Sequence, residues 1–144
     1  MSKKKSGTES KELVALVKEA ELESVFLSEL RAKFFEKQNI DFPLKSVVNH
    51  EVLSIKQEEG SLSSDIGMTF KGLDKRGRKL LEIRIVYNIR YKCDAAFPDE
   101  TVREFMETSA VVQLWPFFRK HLLELTAEMG FPPFVLPLLK FLPS

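Results

Sequence analysis

Apolar and polar positions alternate most clearly over residues 81–91. Leu81, Ile83, Ile85, Tyr87, Ile89 and Tyr91 are separated by Glu82, Arg84, Asn88 and Arg90, with Val86 the one apolar residue on the polar side. A period of two predicts a long strand with one buried face. Ile66, Met68 and Phe70 alternate with Asp65, Gly67, Thr69 and Lys71, a second strand. Asp74-Lys75-Arg76-Gly77-Arg78 between them reads as a charged hairpin turn, with Gly at a left-handed position. Leu44 to Lys56 favours another strand, with Val47, Leu53 and Ile55 on one parity and Leu44, Val48 and Val52 on the other, so both faces read as partly covered. Glu58-Glu59-Gly60 and the serines after them form a polar turn. Successive strands joined by short turns imply an antiparallel sheet.

The ends of the chain read differently. Leu13, Leu16, Val17 and Ala20 recur at helical spacing behind Ser10, a suitable N-cap, whereas residues 1–9 read as a disordered tail. Residues 24–36 are ambiguous. Leu27, Leu30 and Phe34 fit a helix, while Phe26, Leu30, Ala32 and Phe34 fit an alternating strand. Pro43 breaks the pattern, because it disfavours helix at Phe42. Pro98, Asp99 and Glu100 open a helix whose apolar side is Val102, Phe105 and Met106. A second helix is predicted from about Ser109 to Met129, with Pro116 marking a first turn or a kink. Phe118, Leu122, Leu125 and Met129 form its apolar stripe, and Gly130 its C-cap. The fold class is therefore α+β: an antiparallel sheet covered on one face by helices. Residues 10–144 form one domain without internal repeats.

Composition changes this picture in one respect. The chain has 12 Phe against 2 Tyr and 1 Trp. Several of these Phe stand beside prolines in Phe131-Pro132-Pro133-Phe134-Val135-Leu136-Pro137-Leu138-Leu139-Lys140-Phe141-Leu142-Pro143-Ser144. Prolines forbid a regular helix or a central strand there. The segment is then either core and subunit interface or an exposed apolar partner site held open by stiff backbone. Charge adds little: 22 Lys and Arg face 21 Asp and Glu, a net +1, which gives no concentrated basic surface for nucleic acid. The lysines at positions 3–5 are followed by Ser6-Gly7-Thr8-Glu9-Ser10 rather than an apolar run, so no signal peptide is expected. No stretch approaches the ~18 apolar residues of a membrane span, which points to the cytoplasm.

Catalytic and metal chemistry find no constellation. Cys93 stands alone and reads as a half-buried strand residue rather than a redox centre. His50 and His121 lack ligands at metal spacing and read as structural, and Glu58 and Glu59 as solvated turn residues. The six glycines are scattered, so there is no phosphate loop, and no serine sits in a nucleophile elbow. The chain reads as a non-enzyme without cofactors.

The C-terminal third carries a resemblance. Leu114-Trp115-Pro116-Phe117-Phe118-Arg119, then Leu125 to Gly130, then Phe131-Pro132-Pro133-Phe134-Val135-Leu136, resembles the SecB family of protein-export chaperones. That family has an aromatic residue, Pro, two apolar positions and Arg, then a helix and a crossover loop containing Phe-Pro. The resemblance implies a four-stranded antiparallel sheet covered by a long helix. It makes Ser24 to Glu36 the first strand and Ser10 to Ala20 an added N-terminal helical arm. It implies a homotetramer, a dimer of dimers, that holds unfolded or nonnative polypeptides in long apolar grooves without ATP. Carried onto this chain, the groove residues are Phe42, Leu44, Phe131, Phe134, Leu136 and Leu138. Trp115 and Phe118 fall to helix packing or the subunit interface. Contacts to the SecA translocation motor map to Glu36, Leu80 and Glu82, although Ala32 stands where the family has an acid.

Two further departures separate the chain from a plain export role. Export chaperones are strongly acidic, whereas this chain is near neutral, and it ends at Ser144, where the family continues into a second helix. A short C-terminus and Phe-Pro-Pro also resemble SecB-like chaperones dedicated to toxin–antitoxin systems, which protect one antitoxin. A module that docks one folded partner is a third reading.

Overall fold

The amphipathic strand of the sequence becomes the second strand of a four-stranded antiparallel sheet. The computed structural model describes residues 7–35 and 45–131. Its elements are α1 (Gly7–Glu19), β1 (Glu21–Phe34), β2 (Lys45–Glu58), β3 (Ser61–Leu73), β4 (Lys79–Lys92), α2 (Asp99–Glu107) and α3 (Ser109–Glu128). The sheet order is β1-β4-β3-β2. Hairpins join β2 to β3 and β3 to β4, and β1 pairs along the free side of β4. This is the expected α+β architecture, with the long helix α3 on one sheet face and α1 as an N-terminal arm.

Register explains the core. Directly opposed residues share a face. Tyr87 lies opposite Ile66 and Leu27, Ile85 opposite Met68 and Leu30, and Ile83 opposite Phe70 and Ala32. This face lies under the helices: Tyr91 packs edge-on against Phe105 of α2 at 4.9 Å, and Tyr87 stacks on His121 of α3. From α3, Leu114, Phe118 and Leu122 are fully buried. Leu125 and Met129 only flank the core, and Thr126 is buried in their place. Thr126 tolerates burial because its hydroxyl donates to the Leu122 carbonyl one turn back, at 2.7 Å.

Irregularity in the outer strands accounts for the ambiguous stretches. β1 shifts register between Leu22 and Ser24 and again between Leu27 and Glu29. Each bulge inserts a residue and turns a spacing of two into three. Leu22, Val25, Leu27, Leu30, Ala32 and Phe34 therefore share the helix-side face, a spacing that imitates a helix, and Phe26 falls on the opposite face. The strand also starts at Glu21, ahead of the expected Ser24. In β2 a shift between Val52 and Ser54 brings Val48, Val52 and Ile55 together against the core, although strict alternation separates Ile55 from the other two.

Helix and turn ends follow local chemistry. α1 begins at Gly7, before the expected Ser10, and anchors through Leu16, while Val17 of the expected stripe is 50% exposed. The helical C-terminal region breaks at Thr108, between α2 and α3, and not at Pro116, which lies within α3. Pro116 and Val112 are both exposed, so the Val112 carbonyl, deprived of its helical donor, can meet water. Gly130, at φ 86°, turns the chain after α3, with its amide donating to Ala127 and the Phe131 amide donating to Thr126.

The β3–β4 turn is tied by Asp74. Its buried carboxylate accepts from the Arg76 and Arg78 amides at 2.9 Å and from the Arg78 side chain at 2.7–2.8 Å. Burial works to raise the carboxyl pKa, but these hydrogen bonds and the Arg78 charge outweigh it and hold Asp74 below the ordinary value of 3.8. A depressed folded-state pKa stabilises the fold above the unfolded value and stops doing so as pH falls through the folded value. Asp74→Asn should therefore lower the urea midpoint at pH 7, with the difference from wild type closing as pH falls below 3.8. A pH-independent difference would contradict the charged turn. Phe118→Ala should cost about 3–5 kcal/mol in urea unfolding, because a fully buried ring leaves a cavity under α3. A loss under about 1 kcal/mol would contradict its central position.

Candidate functional site

Several polar side chains of the described region are engaged in contacts within the fold. Cys93 follows the last residue of β4, is 3% exposed, and donates its thiol to the Ala95 carbonyl. Burial and the negative charges of Glu19 and Asp94 push its pKa up, away from the thiolate. The Tyr87 hydroxyl lies 2.7 Å from His121 Nδ1, and burial pushes the Tyr87 pKa well above 10, so this hydroxyl keeps its proton. His50 is exposed on β2. Among the described residues no group of three His, Cys, Asp or Glu side chains is placed to hold a metal ion. A depression of about 260 Å³ where α1 meets α2 and α3 is lined by Val17, Ala20, Phe105 and Val112, with Tyr91 donating to Gln113 at its polar end.

Apolar surface is the feature the fold leaves open. β1 is one of the two outer strands of the sheet, and among the described residues no helix packs along its helix-side face as α3 does over β4. Leu22, Leu27 and Leu30 on that face are 40–42% exposed. Strict alternation cannot collect these three residues, because both bulges of β1 lie among them. The three-residue steps Leu22–Val25 and Leu27–Leu30 are the trace of the bulges in the sequence.

The row ends at Phe34, whose ring lies 4.5 Å from that of Phe131. The described residues that precede the expected groove positions thus meet at one corner: Phe34 and Phe35 stand before residues 36–44 in the chain, and Phe131 before residues 132–144. Phe42, Leu44, Phe134, Leu136 and Leu138 themselves lie outside the described residues. Phe131 is 6% exposed, so it packs against Phe34 of β1 and presents little surface of its own.

The remaining expected residues separate. Phe118 is buried within the chain, and Trp115 packs half-buried beside it, ring centroids 6.2 Å apart. Glu82 is on the sheet face away from the helices, paired with Lys79 at 3.0 Å. Leu80 is fully buried, with its carbonyl accepting from the Phe35 amide at 2.7 Å, and has no side-chain surface to offer a motor protein. Glu36 lies outside the described residues. No described helix is long and apolar enough to cross a membrane.

No protein-family model matches the sequence, and no curated protein matches it. The architecture is nonetheless similar to a solved structure from Mycobacterium tuberculosis, the SecB-like chaperone Rv1957 in complex with a ChAD peptide from an antitoxin. The TM-score is 0.78 at 13% sequence identity, covering 92% of this chain and 99% of that one. With its sheet order, its long helix over β4 and its edge-strand β1, this chain has the SecB-like fold.

Proposed function

We propose that this chain is an ATP-independent chaperone, a holdase that binds nonnative polypeptides in the cytoplasm through apolar grooves. The carrying observation is the exposed row Leu22, Leu27 and Leu30, which runs to Phe34 and Phe131, the last residue before the apolar, proline-rich sequence of residues 132–144. Contiguous apolar surface attracts the stretches that a folded client would bury, and apolar contact is non-directional, so many sequences fit. Weak contacts along one client add through effective concentration. The peptide bound to the Mycobacterium tuberculosis chaperone supports a polypeptide as the ligand class. In this reading Phe42, Leu44, Phe134, Leu136 and Leu138 line the groove beyond Phe131. The chain assembles as a dimer of dimers, which also relieves the exposed edge of β1.

Two uses of such a holdase differ in their client. In protein export the client passes to the SecA motor, approached through Glu82 and Glu36 without Leu80. A chaperone dedicated to one antitoxin is the second reading, favoured by the antitoxin origin of the peptide in the similar structure.

The first test is light scattering of a chemically denatured model protein diluted into buffer with this chain and no ATP. Stoichiometric suppression of aggregation is expected. Absence of suppression at several-fold excess would sink the general holdase and leave a dedicated chaperone or a docking module for one folded partner. Phe134→Asp should reduce suppression about tenfold while the far-UV circular dichroism stays unchanged, since a charge in an apolar groove is poorly solvated. Collapse of the dichroism in this variant would make the segment core and overturn the groove.

A further inference from the structure

We infer that the sheet face away from the helices is a docking surface for an acidic segment of a partner protein, centred on Arg84. This inference does not rest on the holdase reading and uses the opposite side of the sheet.

Arg31 on β1 stands directly opposite Arg84 on β4, which stands opposite Thr69 on β3. Like charges directly opposed on one face destabilise a sheet. Arg84 donates to the Thr69 hydroxyl at 3.3 Å, and among the described residues no carboxylate lies within ion-pair distance of it. Arg31 reaches only a loose pair with Glu29 at 3.6 Å, with its side chain 75% exposed. The next row adds Lys33 and Lys71 on either side of Glu82, whose carboxylate is taken by Lys79.

Gly67 makes the site a built one. The Arg84 guanidinium lies across this glycine, and a Cβ there would stand 2.9 Å from Arg84 Nη2. The missing side chain forms a notch that holds the guanidinium flat on the half-buried middle of the sheet. A guanidinium is a planar fork of donors suited to a carboxylate, and a carboxylate between Arg31 and Arg84 would offset their repulsion.

The charge pattern selects the class of partner. Glu29 and Glu51 stand in the row beyond Arg31 and Arg84, and Glu82 on the other side, so a continuous polyphosphate meets repulsion on both flanks. A peptide that spaces its carboxylates avoids them. Phe26, 61% exposed, lies on the same face two rows away and offers an apolar anchor to such a peptide.

The test uses the full chain and a short fluorescein-labelled peptide of alternating Glu and Ser with one central Leu, read by fluorescence anisotropy. The Glu peptide should bind, its Gln counterpart should not, and binding should weaken as salt rises. Arg84→Ala should weaken binding about tenfold, as loss of a charged hydrogen bond implies. Gly67→Ala, which changes no charge, should do the same by displacing the guanidinium. Thermal unfolding checks that both variants fold, and Arg31→Ala, at the more exposed position, decides if Arg84→Ala does not. Equal binding of the Glu and Gln peptides, unchanged affinity in folded variants, or tighter binding of inorganic polyphosphate than of the Glu peptide would each overturn the inference.

Discussion

The burial of one face of β4 beneath α2 and α3 is the constraint on which the rest of the molecule depends. Six apolar side chains from Leu81 to Tyr91 are at most 1% exposed. Each such burial is worth about 1.5–3 kcal/mol relative to exposure. The face has to be covered along its whole length, and the helices that follow β4 supply the cover. Tyr87 and Tyr91 are admitted because His121 and Gln113 satisfy their hydroxyls.

Coverage is uneven, and this unevenness leaves apolar surface on β1. The helices sit over β4 and reach towards β2, leaving the helix-side face of β1 with its leucines part exposed. An exposed apolar edge of this kind favours pairing with another polypeptide. The bulges in β1 matter here because they return Leu30 to the face of Leu27 after an intervening extra residue. Without the shift at Ser28, Leu30 would join Phe26 on the opposite face and the apolar row would be split.

The opposite face is governed by charge. Its cations and carboxylates alternate across the strands, so the near-zero net charge of the chain conceals a local arrangement. Lys79 neutralises Glu82 and Glu29 holds Arg31 loosely, while Arg84 is left with a hydroxyl. The family resemblance places an acidic motor contact on this side. The loss of Leu80 into the core and the basic centre at Arg84 both move the face away from that role.

Features that depend on neighbours along the chain are legible without the fold. Alternation in β4, the Asp74–Arg78 turn, the helix openings at Asp99 and Ser109 and the stop at Gly130 are each set by a residue's own backbone or by partners a few positions away. The apolar, proline-rich composition of residues 132–144 is legible in the same way. Folding settles which residues share a face in β1 and β2, whether Thr126 or Leu125 turns inward, and whether Leu80 is surface or core. Those outcomes rest on long-range pairing: a bulge is fixed by the strand opposite, and a parity becomes a buried face only when an element lies over it. Leu22, Leu27 and Leu30, and the Arg31–Arg84–Gly67 cluster, are therefore invisible as groups until the strands are paired, because the residues that make each group come from positions the chain brings together only by folding.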